Sequence, residues 1–182
     1  MTTPFSWFSS EYSTLVEVLR WRALHQSDRL AYTFLLDGET EEVHLTYADL
    51  DQRARAIAAL LQGQGVHGER ALLVYPPGLE FVAGFFGCLY AGVVAIPMYP
   101  PLPSRLDRTL PRFRAILQDA RPVAALTSSR LLSLLEPMFS QAPDVKALHW
   151  LATDNADQSP SVGADLSRPS PINRSLDWQE PT

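Results

Sequence analysis

Three glycines stand at the spacing of a phosphate-binding turn. Gly63, Gly65 and Gly68 fit the pattern G-x-G-x-x-G, in which the backbone approaches a pyrophosphate at the N-terminus of a helix. That use of the pattern requires a strand before the glycines and a helix after them. Here a predicted helix precedes them and a predicted strand follows, so we interpret the three glycines as a helix-to-strand turn.

Three arginines form a second pattern with possible chemistry. Arg105, Arg108 and Arg112 follow one another at i, i+3 and i+7, which places them on one face of a continuous helix. Guanidinium groups pair well with phosphate, so this face could bind a phosphate-bearing partner. The alternative is an ordinary solvated face. We expect Pro111 to interrupt or restart the helix and thereby to disturb the alignment.

Histidine, cysteine and lysine residues point to neither a metal site nor a nucleophile. The four histidines are far apart in sequence, and none has a partner one helical turn away: His25, His44, His67 and His149. Cys88 is the only cysteine and lies in an apolar stretch, so we predict a buried core residue. Lys146 is the only lysine, and no stretch matches G-x-x-x-x-G-K-[ST]. The residues therefore predict no catalytic, cofactor-binding or metal-binding side chain.

The composition is typical of a globular protein with an acidic surface. Hydrophobic residues make up 46% of the chain and charged residues 19%, with a net charge of -5. This charge disfavours nucleic acid as a partner. No apolar run reaches the roughly 20 residues of a membrane span. A single cysteine allows no internal disulfide and fits a reducing compartment, so we predict a cytoplasmic location.

The first quarter of the chain predicts a helix and a β-hairpin. Thr14 and Glu17 have the spacing of a capping box at the start of a helix. Residues 30–36 and 41–45 are extended in character and flank Asp37-Gly38, a strong hairpin signal.

The next helix should begin at Thr46, which has Asp49 three residues later as a capping partner. Gly63 or Gly65 should end it in a left-handed conformation. Its apolar stripe is expected to be Tyr47, Leu50, Ala54, Ile57 and Leu61, and its water-facing residues Asp51, Gln52, Arg53 and Arg55.

From residue 71 the pattern alternates between strands and helices. Strands are predicted at residues 71–75, 93–96, 123–127 and 146–151, with Pro97 ending the second. The intervening helices are predicted at residues 79–91 and 104–120, and from Ser128 or Ser129 to just before Pro137. The helix at residues 79–91 is apolar all round, which favours burial on both sides. Its Gly84 and Gly87 would be tolerable where another backbone packs against them.

This order predicts an α/β fold. The sheet should be doubly wound and mostly parallel with flanking helices, and the N-terminal helix and hairpin should be appended to it. We assign residues 1–151 to this α/β unit. Residues 152–182 are rich in Ser, Pro and Asp, and we interpret them as a loop or linker.

Two motifs resemble the first two core motifs of the adenylate-forming enzymes. Residues 45–50, LTYADL, are similar to L-T-Y-x-E-L, and residues 89–97, LYAGVVAIP, are similar to L-x-A-G-x-x-x-x-P. The matching positions, which we interpret as capping, packing and turning residues, are Thr46, Tyr47, Leu50, Ala91, Gly92 and Pro97.

Finer features resemble one branch of that superfamily, the fatty acyl-AMP ligases. These features are YPPGLEF at residues 75–81, FFGCLY at 85–90 and YPP at 99–101. The resemblance covers roughly residues 15–151. It implies the N-terminal subdomain of the adenylate-forming fold, in an enzyme that uses ATP and Mg to convert a fatty acid to an acyl-adenylate. It further implies transfer of the acyl group to an acyl carrier protein in polyketide or lipopeptide synthesis.

The resemblance does not reach the family's catalytic groups. The phosphate loop, the acidic magnesium ligand, the ribose-binding aspartate and the catalytic lysine all lie beyond the matched region. We therefore expect an N-terminal segment that lacks its downstream domain and is catalytically silent alone. Two alternatives remain: a non-catalytic docking module for a carrier protein or assembly-line partner, and a piece of an acyl-CoA ligase.

Overall fold

The computed structural model describes residues 12–101 and 103–154. The chain divides after Gln52 into two compact units. The first contains helix α1 (Leu15–His25), strands β1 (Leu30–Leu35) and β2 (Glu42–Thr46), and the start of helix α2 (Tyr47–Gly63). The second contains the rest of α2 and all later elements.

The predicted N-terminal helix and hairpin are both present. The Thr14 hydroxyl accepts a hydrogen bond from the Glu17 amide, and the Glu17 carboxylate accepts one from the Thr14 amide, which completes the capping box. Strands β1 and β2 pair in antiparallel fashion. The Asp37 carboxylate accepts three backbone N–H bonds, from residues 39, 40 and 41. These bonds hold the pKa of Asp37 well below its usual range.

Helix α2 begins and ends as the sequence predicts, but its buried face is wider. The Thr46 hydroxyl and Asp49 carboxylate cap the helix reciprocally. Gly65 adopts the left-handed conformation after the helix. The prediction that Asp51 faces water is wrong, because this residue is only 7% exposed. Asp51 lies four residues after Tyr47 and therefore about 40° further round the helix, so the buried arc extends past this edge of the apolar stripe.

The second unit is built on a parallel sheet of four strands. Their order is β4-β3-β5-β6, with every neighbouring pair parallel. The strands are β3 (Arg70–Val74), β4 (Val94–Met98), β5 (Ala124–Thr127) and β6 (His149–Ala152). The helices between them are α3 (Leu79–Ala91), α4 (Leu106–Ala120), α5 (Ser129–Phe139) and α6 (Pro143–Lys146). The order reverses direction beside β3, which confirms the doubly wound α/β prediction.

Helices cover both faces of this sheet. Leu72 and Val74 of β3 pack with Phe113 of α4 and with Leu135 and Met138 of α5 in one buried core. Side chains alternate between the two faces along a strand. Tyr75, next after Val74, therefore faces the other layer, where its ring touches Gly84 of α3. Ile57 of α2 packs on Gly87 of the same helix.

Three prolines lie inside elements that the sequence analysis ended or interrupted there. Helix α4 runs through Pro111, which is solvent-exposed, and a 3₁₀ turn (Pro103–Arg105) precedes it. Helix α5 runs through Pro137 to Phe139, which brings the buried Met138 into the core. Only one intrahelical hydrogen bond is lost at each proline.

Pro97 lies inside β4 rather than ending it. The Val94 amide donates to the Glu69 carbonyl, towards β3. Because backbone groups alternate direction along a strand, the nitrogen of Pro97 points to the outer edge of the sheet. β4 is an edge strand, so proline removes no ladder hydrogen bond there.

One strand boundary and the burial of α3 also differ from prediction. The strand predicted at residues 146–151 begins at His149, because Lys146 ends the short helix α6. Helix α3 has the predicted bounds, but it is not covered on both sides. Its small residues are buried, whereas a row of larger ones is half-buried: Phe81, Val82, Phe85, Phe86 and Leu89.

The predicted linker at residues 152–182 lies outside the described residues beyond Asp154. None of the described helices combines the length and apolarity needed to cross a bilayer.

Candidate functional site

Ligands of open parallel sheets bind beyond the carboxyl ends of the strands, where the strand order reverses. In this chain that position lies between β3 and β5. A buried hydrogen-bonded junction occupies it. The Tyr75 hydroxyl and the Thr153 hydroxyl are 2.7 Å apart, and the Thr153 amide donates to the Thr127 carbonyl at 2.9 Å. The residues that end β3, β5 and β6 are thus tied together.

The proton positions in this junction follow from its geometry. The Thr153 hydroxyl also donates to the Thr127 carbonyl, at 3.3 Å. A hydroxyl has one hydrogen, so Tyr75 is the donor in its bond to Thr153. Burial raises the pKa of Tyr75 well above its usual range, which keeps the phenol protonated. The Thr127 hydroxyl is buried and has no hydrogen-bond partner among the described residues.

A small cleft of about 100 Å³ opens beside this junction. Its lining combines three charged side chains and a threonine with two apolar residues: Arg53, Glu80, Asp154, Thr153, Ile57 and Ala83. Arg53 and Glu80 form a half-exposed ion pair, with 3.2 Å between Nη1 and Oε1. This volume is well below the roughly 300–1,000 Å³ of typical small-molecule pockets.

Asp154 fixes the chain where it leaves the sheet. Its Oδ1 accepts hydrogen bonds from the amide and the hydroxyl of Ser129, both at 2.9 Å. Ser128 caps the same helix by accepting from the Leu131 amide at 3.3 Å. The amides of Ser129 and Leu131 at the N-terminus of α5 therefore have hydrogen-bond acceptors within this chain. The sequence analysis missed this junction, because Tyr75, Thr127 and Thr153 are far apart in sequence and only the sheet brings them together.

The residues that match the two family motifs cap a helix, pack in the core or form a turn. Thr46 caps α2, Tyr47 lies under the Arg22 guanidinium at 5.2 Å, and Leu50 is buried. Ala91 is buried at the end of α3. Gly92 follows in the left-handed conformation, and a Cβ there would lie 2.7 Å from Nε2 of His67. The left-handed backbone thus favours glycine at position 92, and a side chain there would also have to displace the imidazole of the exposed His67.

The remaining candidates are not among the residues that form this junction or line its cleft. Gly63, Gly65 and Gly68 connect α2 to β3, which confirms the turn interpretation. Arg105, Arg108 and Arg112 are exposed on the 3₁₀ turn and α4. Among the described residues, no group of three or more metal-ligating side chains exists.

Cys88 is buried in α3, as the sequence analysis predicts. Burial raises the pKa of its thiol from 9.0 to about 12. We expect Cys88 to resist thiol reagents at pH 8 in the folded chain and to react fully in denaturant, because the raised pKa lowers the thiolate fraction about a thousandfold. A colorimetric thiol assay in buffer and in urea measures this. Rapid labelling in buffer would contradict the burial described here.

Comparison with known proteins identifies the family. The family model described as AMP-binding enzyme matches residues 19–178. The chain belongs to the AMP-binding enzyme family. Among curated members, it is 48% identical over 163 residues to the medium-chain-fatty-acid--[acyl-carrier-protein] ligase JamA of Moorena producens. That match covers 85% of this chain and 28% of JamA. Disco-interacting protein 2 homolog B of Homo sapiens is 34% identical over 154 residues, covering 82% of this chain and 10% of that protein.

Solved structures of AMP-binding enzymes agree with this assignment. The fatty acyl-adenylate ligase from L. pneumophila, in complex with acyl adenylate and pyrophosphate, superimposes with a TM-score of 0.67 at 34% identity. The match covers 82% of this chain and 25% of the ligase. A fatty acid AMP ligase from Legionella pneumophila gives a TM-score of 0.66 at 31% identity, over 95% of this chain and 26% of the other. The resemblance to fatty acyl-AMP ligases is thus confirmed, and this chain spans about a quarter of their length.

Proposed function

We propose that the chain is the N-terminal α/β part of a fatty acyl-AMP ligase. The main support for this proposal is the 48% identity to JamA, a ligase named for medium-chain fatty acids and an acyl carrier protein. In this proposal residues 1–151 form the N-terminal subdomain and residues 152–182 lead into the rest of the ligase. The complete enzyme uses ATP and Mg to form an acyl-adenylate in the cytoplasm and then acylates the carrier.

The described residues support a structural role within that enzyme. Adenylation requires charge neutralisation on the phosphates and alignment of the carboxylate with the α-phosphate. The cleft at the sheet edge is too small for a nucleotide, and its arginine is paired with Glu80. The junction of Tyr75, Thr127 and Thr153 instead holds three strand ends together. Asp154 accepts a hydrogen bond from Ser129 at the start of α5 and so fixes the chain just after β6.

A chimeric ligase tests the choice of acceptor. Residues 15–154 of this chain replace the aligned segment of JamA, and the enzyme receives a medium-chain fatty acid with either a phosphopantetheinylated carrier protein or coenzyme A. We expect acylation of the carrier and little acyl-CoA. JamA with its own segment reinserted through the same junctions is the control. Efficient acyl-CoA formation by the chimera alone would favour the acyl-CoA ligase alternative.

A further inference from the structure

Arg105, Arg108 and Arg112 form a single exposed row, which we call the arginine row. Pro111 does not interrupt helix α4, which is continuous from Leu106 to Ala120. Arg108 and Arg112 lie one turn apart on this helix, about 40° round its axis and about 6 Å along it, and Arg105 precedes them in the 3₁₀ turn. All three side chains are exposed.

The arginine row is not used by the described part of the chain. Two other arginines there pair with carboxylates: Arg53 pairs with Glu80, and Arg114 forms two hydrogen bonds with Asp144, at 2.7 and 3.0 Å. None of the hydrogen bonds or ion pairs between described residues engages a guanidinium of the row. The nearest carboxylates on the helix are Asp107, turned well away from the row, and Asp119, about 10 Å beyond Arg112. The three arginines therefore form a positively charged surface without an ion-pair partner among the described residues, although the chain as a whole has a net charge of -5.

The row is held on a rigid support. The opposite side of α4 is anchored by the buried Phe113 and by partly buried leucines that pack on the core. The two bonds from Arg114 to Asp144 clamp the helix to α6. At the other end, the Thr109 hydroxyl donates to the Arg105 carbonyl at 3.0 Å. A charged row on a fixed helix is preorganised, so little backbone entropy is lost when an anionic surface binds.

We propose that the arginine row is the docking surface for the acidic helical face of a phosphopantetheinylated acyl carrier protein. This inference rests on the proposed function, which supplies the carrier as the acceptor. Carboxylates one turn apart on a partner helix match the spacing of Arg108 and Arg112, and arginine fits carboxylate and phosphate oxygens in a bidentate manner. Such complementarity steers association and fixes the orientation of the partner.

Binding between the purified 182-residue chain and the phosphopantetheinylated carrier that JamA acylates tests the proposal. We expect Arg108→Glu/Arg112→Glu to raise the Kd about tenfold or more at low ionic strength, and the effect to shrink in high salt as charges are screened. Arg108→Lys/Arg112→Lys keeps the charge and should retain most of the affinity. Arg29→Glu/Arg130→Glu makes the same charge change at two exposed positions outside the row and should leave the Kd within about twofold.

Several outcomes would overturn the proposal. They are no binding by the unaltered chain, an unchanged Kd in the charge-reversed row, or an equal loss in the Arg29/Arg130 control. A membrane surface is the rival partner: loss of binding to phosphatidylglycerol vesicles with an unchanged carrier Kd would assign the row to it. The binding assay uses no ATP or fatty acid, so its failure is distinguishable from failure of the chimera to form acyl-adenylate.

Discussion

Phe113→Ala is expected to lower the free energy of unfolding by about 3–5 kcal/mol, the range for removing a fully buried aromatic side chain. Phe113 is 2% exposed and contacts the core formed by β3, β5 and α5. Its ring also stacks near Trp150, with centroids 6.4 Å apart and 22° between the planes. Its truncation opens a cavity between α4 and the sheet. Domains are stable by only about 5–15 kcal/mol, so a large share of the total would be lost.

Urea unfolding followed by tryptophan fluorescence measures this change, because Trp150 lies beside the altered residue. Gln118→Ala is the matched control on the solvent side of the same helix and should change the stability by less than about 0.5 kcal/mol. A loss below about 1 kcal/mol for Phe113→Ala would mean that α4 does not pack on the sheet as described.

Gly87→Ala is expected to cost about 2–3 kcal/mol, although alanine favours helices by about 1 kcal/mol over glycine. A Cβ at position 87 would lie 2.6 Å from the Cβ of Ile57. This atom is next to the backbone of α2, so it cannot rotate away, and the two helices must move apart. Glycine at this position therefore sets the distance between α2 and α3.

Two further variants isolate that cause. Gly63→Ala, where no atom lies within 4 Å of the added carbon, should be neutral or slightly stabilising. Ile57→Ala removes the Cγ2 methyl group that the added carbon would also meet, although it keeps the Cβ. Its combination with Gly87→Ala relieves part of the clash and should cost less than the sum of the single changes. Additive losses measured by urea unfolding would show that the two side chains do not meet.

The sequence was a good guide wherever a local signal coincided with the tertiary contacts. The capping pairs at Thr14 and Thr46, the Asp37-Gly38 hairpin and the left-handed Gly65 each need only neighbouring residues to form. The apolar segments of β3 and β5 likewise predict a buried parallel sheet. Local chemistry and global burial agree at these positions, so short patterns suffice.

The features that the sequence did not predict depend on where a residue lies in the tertiary structure. Proline at 97 is harmless only because β4 is an edge strand, and proline at 111 only because it lies on the solvent side of α4. The close partners of Gly84 and Gly87 are the side chains of Tyr75 and Ile57, where we expected backbone. The junction at the sheet edge depends on the pairing of β5 with β6, which no local pattern encodes.

The central claim is that this chain serves as the N-terminal part of a fatty acyl-AMP ligase. Fatty-acid-dependent exchange between ATP and pyrophosphate tests it most directly, in the JamA chimera that carries residues 15–154 and in the isolated chain. We predict exchange by the chimera within about tenfold of JamA, a difference of about 1.4 kcal/mol in transition-state stabilisation, and none by residues 1–182 alone. A chimera that unfolds at the same temperature as JamA but shows no exchange would contradict the account.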